Sequence, residues 1–218
     1  LFCLPVLCHA DDMPTGLKAL QRLKAGNARF AADKPSTRDV GKSRRAELAK
    51  GQKPFAIVLA CADSRVTPEL IFDQGLGDLF VLRLAGNVVE PAVLGSIEYA
   101  VEHLHTPLVV VLGHESCGAV KAAVDGGKVE GNLGWLIERV HPGKAVPKDP
   151  KAALAACIKN NAIYQAQQLS AQSKVIKEFL DAKRVQLVAG VYSLSTGKVD
   201  WLEPPSTKEP GVKLPAPR

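Results

Sequence analysis

The chain has 218 residues, 46% of them hydrophobic, so it can fill the core of one sizeable α/β domain but not of two ordinary ones. Its net charge is +6, yet only 5% of residues are aromatic and the densest basic cluster, 42–45, contains none, which argues against a nucleic-acid surface. No apolar run reaches the roughly 18 residues that a membrane span needs. We therefore expect one soluble globular domain.

The first ten residues contain no Asp, Glu, Lys or Arg, and Asp11 and Asp12 follow them at once. Such a break is typical of the end of a secretory signal peptide, with Ala10 as the small residue before the cleavage point. We therefore interpret residues 1–10 as a signal-peptide remnant and expect a periplasmic or secreted protein. The alternative is a segment that stays attached and packs on the domain.

Helical periodicity predicts a helix over 14–33 and a short one after Thr37, which together form an N-terminal helical arm. Apolar runs rich in β-branched residues then predict four strands, at 55–61, 79–84, 107–114 and 185–194. Helical patterns fill the remaining gaps at 67–74, 92–104, 117–125, 131–140 and 151–182. This alternation predicts an α/β fold, with a mainly parallel central sheet of four strands flanked by helices.

The C-terminal part adds one more strand to this sheet. A turn at 195–197 is followed by an alternating run at 198–202, which predicts an antiparallel edge strand paired with the strand before it. Residues 204–218 contain five prolines and read as an extended tail. We therefore expect a single domain over 11–203.

Residues able to bind a metal follow two of the predicted strands. The first strand ends at Cys61, with Asp63 and Arg65 just beyond it, and the third ends at His114, three residues before Cys117. Ligands of open α/β sheets bind beyond the carboxyl ends of the strands, so these side chains can come together in one crevice. Asp63 and Arg65 could form an ion pair beside the metal, or merely stabilise their loop.

Two thiolates and one imidazole are a ligand set that favours zinc and leaves one tetrahedral position open. An open position is typical of a catalytic zinc site, whereas a structural site is closed by a fourth Cys or His. The remaining cysteine outside the first ten residues, Cys157, lies within a long helical pattern, where a buried and inert thiol is expected. The sequence thus predicts one catalytic zinc ion per chain.

The motifs CADSR at 61–65 and HESCG at 114–118 together resemble the paired signature of the β-class carbonic anhydrases. The stretches DLFVLR at 78–83 and SIEYA at 96–100 are similar to the same family. This resemblance implies reversible hydration of carbon dioxide to bicarbonate and a proton. In that reaction zinc activates water, Asp63 orients the resulting nucleophile, and Arg65 holds Asp63.

The resemblance also implies roles that spacing alone does not give. Gln52 and the backbone N–H of Gly118 would orient substrate oxygen, while Phe80, Ala85 and Tyr99 would form an apolar wall. From the residue pattern alone, Phe80 and Tyr99 read as core residues. The family's sites lie at a dimer interface, which implies a homodimer or tetramer whose N-terminal arm crosses to the partner and whose Phe80 and Tyr99 serve the neighbouring zinc.

Asp63 has a second implied role, as an alternative fourth zinc ligand in a closed and inactive state. Some bacterial relatives stabilise that state with bicarbonate bound in a pocket that needs a Trp, and Val58 stands at that position here. We therefore expect the open state near neutral pH. Other functions left open are hydrolysis of carbonyl sulfide or carbon disulfide on the same fold, a noncatalytic zinc-binding module, and a metal-free Cys-His hydrolase.

Overall fold

A mixed sheet in the order β2-β1-β3-β4-β5 forms the centre of the computed structural model, which describes residues 14–143 and 147–202. Its strands are β1 (Ala56–Ala60), β2 (Leu79–Arg83), β3 (Leu108–His114), β4 (Gln186–Tyr192) and β5 (Val199–Leu202). The first four pair in parallel, and β5 pairs with β4 in the antiparallel direction. The predicted sheet and its antiparallel edge strand are therefore confirmed.

Eight helices surround this sheet in the described part of the chain. They are α1 (Gly16–Ala31), α2 (Lys42–Leu48), α3 (Pro68–Ile71), α4 (Pro91–Glu102), α5 (Gly118–Asp125), α6 (Gly131–Ile137), α7 (Pro150–Gln172) and α8 (Lys174–Asp181). One predicted helix, at 151–182, is two helices. Ser173 has extended backbone angles that end α7, and its hydroxyl accepts a hydrogen bond from the Ile176 N–H at 3.0 Å, which caps α8.

The strands alternate between two cores because successive side chains of a strand point to opposite faces. Val58 of β1 packs on one face with α1, whereas Ile57 and Leu59 pack on the other with α4, α7 and α8. Every residue of β1 and β3 is buried, as expected for parallel strands covered on both faces. This burial explains why both strands read as continuous apolar runs in the sequence.

The two N-terminal helices differ in how they pack on their own chain. Ala19, Leu20 and Leu23 of α1 are buried against the sheet of their own chain, whereas Leu17 of the same helix is 59% exposed. One face of α1 thus packs within its own chain, and the crossing of the arm to a partner stays a prediction. The short helix α2 buries none of its residues.

The interpretations of residues 1–10 and 204–218 concern positions outside the described residues. No helix in 14–143 or 147–202 combines the length and the apolar character that crossing a membrane would require.

Candidate metal centre

Strand register brings the predicted metal ligands to one edge of the sheet. Ala60, the last residue of β1, pairs with Leu112 of β3, so Cys61 emerges next to Gly113 and His114. Cys117 lies just before α5, which starts at Gly118. Two neighbouring parallel strands thus deliver the three side chains to the same carboxyl edge.

The ligand atoms of Cys61, His114 and Cys117 all lie within 4.8 Å of one another, and all three residues are buried. This spacing is close to that around one tetrahedral zinc ion, whose bonds to sulfur and nitrogen are about 2.0–2.3 Å. Nδ1 of His114 lies 2.9 Å from the carbonyl oxygen of Glu115, which makes it the protonated nitrogen. The buried Nε2 has no hydrogen-bond partner among the described residues, so its lone pair is left for a metal.

The two cysteine side chains shift each other's pKa in opposite directions. A hydrogen bond from the Cys117 side chain lowers the pKa of Cys61, and the same bond together with burial raises the pKa of Cys117. The backbone N–H of Gly86 also donates to the Cys61 sulfur, at 3.4 Å. A buried thiolate beside a thiol and an unpartnered imidazole nitrogen is a site that a divalent cation completes.

Cys117 is the N-cap residue of α5, where backbone N–H groups lack partners within the helix. The N–H groups of Val120 and Ala119 act on its sulfur and oppose the rise in its pKa. The positive end of the helix therefore favours the thiolate form that a metal needs.

Asp63 and Arg65 form a two-point ion pair beside the ligands. Nε of Arg65 donates to Oδ1 of Asp63 at 2.9 Å, and Nη2 donates to Oδ2 at 2.7 Å. These side-chain bonds, helped by the Arg65 N–H, hold the pKa of Asp63 well below its usual range. Oδ2 of Asp63 also lies 3.9 Å from Nε2 of His114, so an ionised carboxylate faces the ligand group without joining it.

The side chain of Arg83 secures the loop that carries Asp63. From the end of β2, its Nε donates to the carbonyl of Cys61 at 3.1 Å and its Nη2 to the carbonyl of Asp63 at 2.6 Å. Sequence reasoning missed this function, because a bond to a backbone carbonyl leaves no motif. The available signal was a basic residue ending a strand that neighbours β1.

A pair of buried amides supports the turn that follows β2. Nδ2 of Asn161 donates to the carbonyl of Gly86 at 2.9 Å, and Oε1 of Gln165 accepts from the Val89 N–H at 2.8 Å. Gly86 has a positive φ of 69°, and a side chain there would meet Val140 at 2.9 Å. The amides of α7 thus hold in place the turn whose N–H bonds the Cys61 sulfur. Sequence reasoning missed them too, although their spacing of four on a buried helical face was a visible signal.

Two of the other site residues lie near the ligand group. Ala85 begins the short turn that contains Gly86, and it is half-buried. Gly118 is the exposed first residue of α5, and no atom lies within 4 Å of the position a side chain would take there. The space above the Gly118 backbone is therefore open within the chain.

The remaining three substrate residues are not brought to the ligand group of their own chain. Gln52 precedes β1, so it lies toward the amino end of the strand, and it lines a cavity of about 530 Å³ with His103 and His105. Phe80 lies in β2, three residues before Arg83, where it pairs with Ile57 of β1 and is half-buried. Tyr99 of α4 is 47% exposed, so its reading as a core residue is wrong.

Two further side chains, Cys157 and Val58, bear on the expected inert thiol and on the position where some relatives carry a Trp. Cys157 is free and buried, and its sulfur is outside the group formed by the three ligands, as expected for an inert thiol. Val58 is completely buried in the core beneath α1. Its side chain is therefore committed to packing between the sheet and that helix.

Comparison with known proteins supports the reading of the two motifs. A family model described as "Carbonic anhydrase" matches residues 56–199. A protein of Mycolicibacterium smegmatis named "Carbonic anhydrase" is 46% identical over 189 residues, which cover 84% of this chain and 91% of that protein.

Solved structures agree on the fold. A β-carbonic anhydrase of Aspergillus fumigatus superposes with a TM-score of 0.64 at 27% identity, covering 86% of this chain and 90% of the other. One of two β-carbonic anhydrases of Sordaria macrospora, described as tetrameric, superposes with a TM-score of 0.66 at 24% identity, over 86% of this chain and 96% of the other.

Proposed function

The chain belongs to the β-class carbonic anhydrase family, and on that basis we propose that it hydrates carbon dioxide with one zinc ion bound by Cys61, His114 and Cys117. The observation that carries the metal is the Nε2 atom of His114, buried and without a hydrogen-bond partner in the described chain, facing two cysteine sulfurs. Leaving such a polar atom unpaired costs about 1–3 kcal/mol, which metal binding removes.

The donor set fits zinc, and three protein ligands leave room for water. Zinc bound there would supply a Lewis acid that makes water nucleophilic near neutral pH. The noncatalytic module is disfavoured, because the ligand group found in the described chain contains three side chains and not four.

Asp63 is proposed to orient the nucleophile. An ionised carboxylate only accepts hydrogen bonds, so Asp63 can receive the remaining hydrogen of the attacking oxygen and turn its lone pair toward the carbon. Arg65 engages both oxygens of Asp63 and so opposes a turn of the carboxylate into the fourth metal position.

The substrate would occupy the open space above Gly118. Its N–H, in the first turn of α5, has no intrahelical acceptor and can bind an oxygen of carbon dioxide or bicarbonate. Ala85 supplies an apolar neighbour on the other side. The oxygen of water bonds to the carbon of carbon dioxide, and one C=O π pair moves to oxygen. The released proton leaves to solvent, so water and carbon dioxide give bicarbonate and a proton.

The unit that completes the site is proposed to be a homodimer, either alone or within a tetramer. Gln52, Phe80 and Tyr99 lie away from the ligands of their own chain, so the roles implied for them require the site of a second copy. The edge strand β2 supports this assembly, because Leu79, Phe80, Val81 and Leu82 are only half-buried within one chain. An exposed apolar edge strand is a template for association with another chain.

Export is proposed from the sequence of residues 1–12 alone. N-terminal sequencing of the protein from its native cell should find Asp11 or a neighbouring residue first. Retention of residues 1–10 on the purified protein would reject this proposal.

The experiment that tests the function combines metal analysis with a stopped-flow assay of carbon dioxide hydration. The wild-type chain should contain one zinc ion and be active. Cys117→Ser should lose both the metal and the activity, because the ligand set then lacks a thiolate. Cys157→Ser is the matched control, and it should keep both. Full zinc content and full activity in Cys117→Ser would reject the assignment.

A further inference from the structure

Glu115 links the metal ligand His114 to a distant turn. Its carbonyl accepts from Nδ1 of His114 at 2.9 Å, and its N–H donates to the carbonyl of Tyr192 at 2.8 Å. Its carboxylate lies over the turn between β4 and β5, where Oε2 accepts from the Ser193 hydroxyl at 2.9 Å and from the N–H and hydroxyl of Ser195 at 3.2 and 3.1 Å.

We propose that Glu115 is a positioning residue: by anchoring its carboxylate to Ser193 and Ser195, it fixes the carbonyl that orients the His114 imidazole toward the metal. This inference rests on the proposed zinc function of the site. A group that binds the second nitrogen of a metal-ligating histidine sets both the tautomer and the ring orientation. Here that group is a backbone carbonyl, so its position depends on whatever holds the loop.

The loop needs such an anchor. Ser116, between the two ligands, is exposed and has a positive φ of 56°, which is uncommon for a residue other than glycine. Besides the contact between the Cys117 and Cys61 side chains, the carboxylate of Glu115 ties 115–117 to another element by its hydrogen bonds to Ser193 and Ser195. Without these bonds, the turn between β4 and β5 would hold the loop only through the backbone bond from the Glu115 N–H to the Tyr192 carbonyl.

The turn that receives Glu115 is itself well fixed. The Ser193 N–H donates to the Lys198 carbonyl at 2.8 Å, and the Gly197 N–H donates to the Ser193 carbonyl at 3.0 Å. Asn27 of α1 is buried and donates to the Gly197 carbonyl at 2.8 Å, while it accepts from the Val199 N–H at 2.8 Å. Glu115 therefore anchors His114 to a turn that α1 holds from the other side.

The same contacts could serve only the stability of the turn, and zinc affinity separates the two roles. We would measure the zinc dissociation constant of the purified full chain by competition with a chromophoric chelator, and record the visible spectrum of the cobalt-substituted protein. Glu115→Gln removes the charge at equal size, whereas Glu115→Asp keeps the charge but is one methylene group too short to bond to Ser193 and Ser195. Glu138→Gln, on the exposed end of α6, is the matched control.

A positioning role predicts that Glu115→Asp weakens zinc binding by about 10-fold, the lower end of the usual effect of a group that orients a metal ligand, and that Glu115→Gln weakens it by a smaller factor, because its amide oxygen still accepts hydrogen bonds from the turn. Ser195→Ala should weaken it less, because the Ser195 N–H remains. The cobalt absorption bands should shift in both Glu115 variants and stay unchanged in Glu138→Gln.

Two results would overturn the inference. Zinc affinity within about two-fold of wild type in both Glu115 variants would leave only a role in stability, whatever happens to the unfolding free energy. A loss in Glu115→Gln but not in Glu115→Asp would show that charge matters and anchoring does not. If the wild-type chain binds no zinc at all, the proposed function fails instead, so the two failures are distinguishable.

Discussion

The Asp63 carboxylate lies between Arg65 and the metal ligands. If it bonds to Arg65, the fourth metal position stays open for water, whereas binding of Asp63 to the metal would block that position. Arg65 binds both of its oxygens, while Oδ2 lies 3.9 Å from Nε2 of His114. That oxygen therefore lies beside the region that a metal bound by His114 would occupy. The open arrangement therefore depends on Arg65.

Substituting Arg65 by Ala should release Asp63 to occupy the fourth metal position. We expect hydration activity to fall by about 100-fold or more, since loss of a group that orients the nucleophile costs that much, while zinc stays bound. Stopped-flow rates and zinc content, measured on the same samples, test this. Arg184→Ala, whose guanidinium stacks 3.7 Å from the Phe179 ring, is the control. An Arg65 variant that loses zinc or retains activity would contradict the expectation.

Bicarbonate should not push this chain into the closed state. Val58 is completely buried beneath α1 and offers no indole, and Arg83 is already bonded to the carbonyls of Cys61 and Asp63. A ligand shifts two states only by its differential affinity for them. Activity measured against bicarbonate near pH 7.5 should follow simple product competition. A sigmoidal loss of activity would mean that another pocket binds the anion.

At the scale of elements, Asp73 joins α1, the segment before α2 and the end of α3. Its buried carboxylate accepts from Arg29 at 2.6 Å, from the Ser36 N–H and hydroxyl at 2.9 and 2.7 Å, and from Arg38 at 3.2 Å. Burial opposes ionisation, but these bonds outweigh it and lower the pKa of Asp73 to about 2. The carboxylate is thus charged in the folded chain at neutral pH.

Asp73→Asn should lower the unfolding free energy by about 2 kcal/mol, which is the usual contribution of a hydrogen bond to a charged group. Because the folded pKa lies below the unfolded value of 3.8, this stabilisation is present above about pH 4 and is lost as the pH falls toward 2. Urea unfolding at several pH values measures it, with Asp39→Asn as the exposed control. A difference between wild type and Asp73→Asn that does not shrink below pH 4 would contradict the assignment.

The sequence predicted strands better than it predicted supporting side chains. β1 and β3 are fully buried, so their composition marked them clearly, and their ends carried Cys61 and His114. The break at Ser173 was missed because the helical periodicity continues across it, while a local cap decides the ending. The roles of Arg83 and Glu115 depend on backbone carbonyls that the fold brings near, which no spacing encodes.

At the scale of the whole molecule, the division of substrate residues between two chains can be tested by complementation. Gln52 of one chain would act on the zinc site of its partner, whereas Cys117 acts in its own chain. Co-expressed Gln52→Ala and Cys117→Ser chains, purified as mixed dimers, should regain about half of the wild-type activity, because one site per dimer is then intact. Each variant alone should have little activity. Mixed dimers no more active than the two parent variants would show that Gln52 serves its own chain.

A zinc X-ray absorption spectrum can show whether two sulfurs and one histidine hold the zinc ion. At pH 7.5 the wild-type protein should show two sulfur atoms at about 2.3 Å and two lighter atoms at about 2.0–2.2 Å. Cys117→Ser, loaded with excess zinc, should show one sulfur fewer. A wild-type spectrum without sulfur neighbours, or a sulfur shell that Cys117→Ser leaves unchanged, would contradict zinc binding by Cys61 and Cys117.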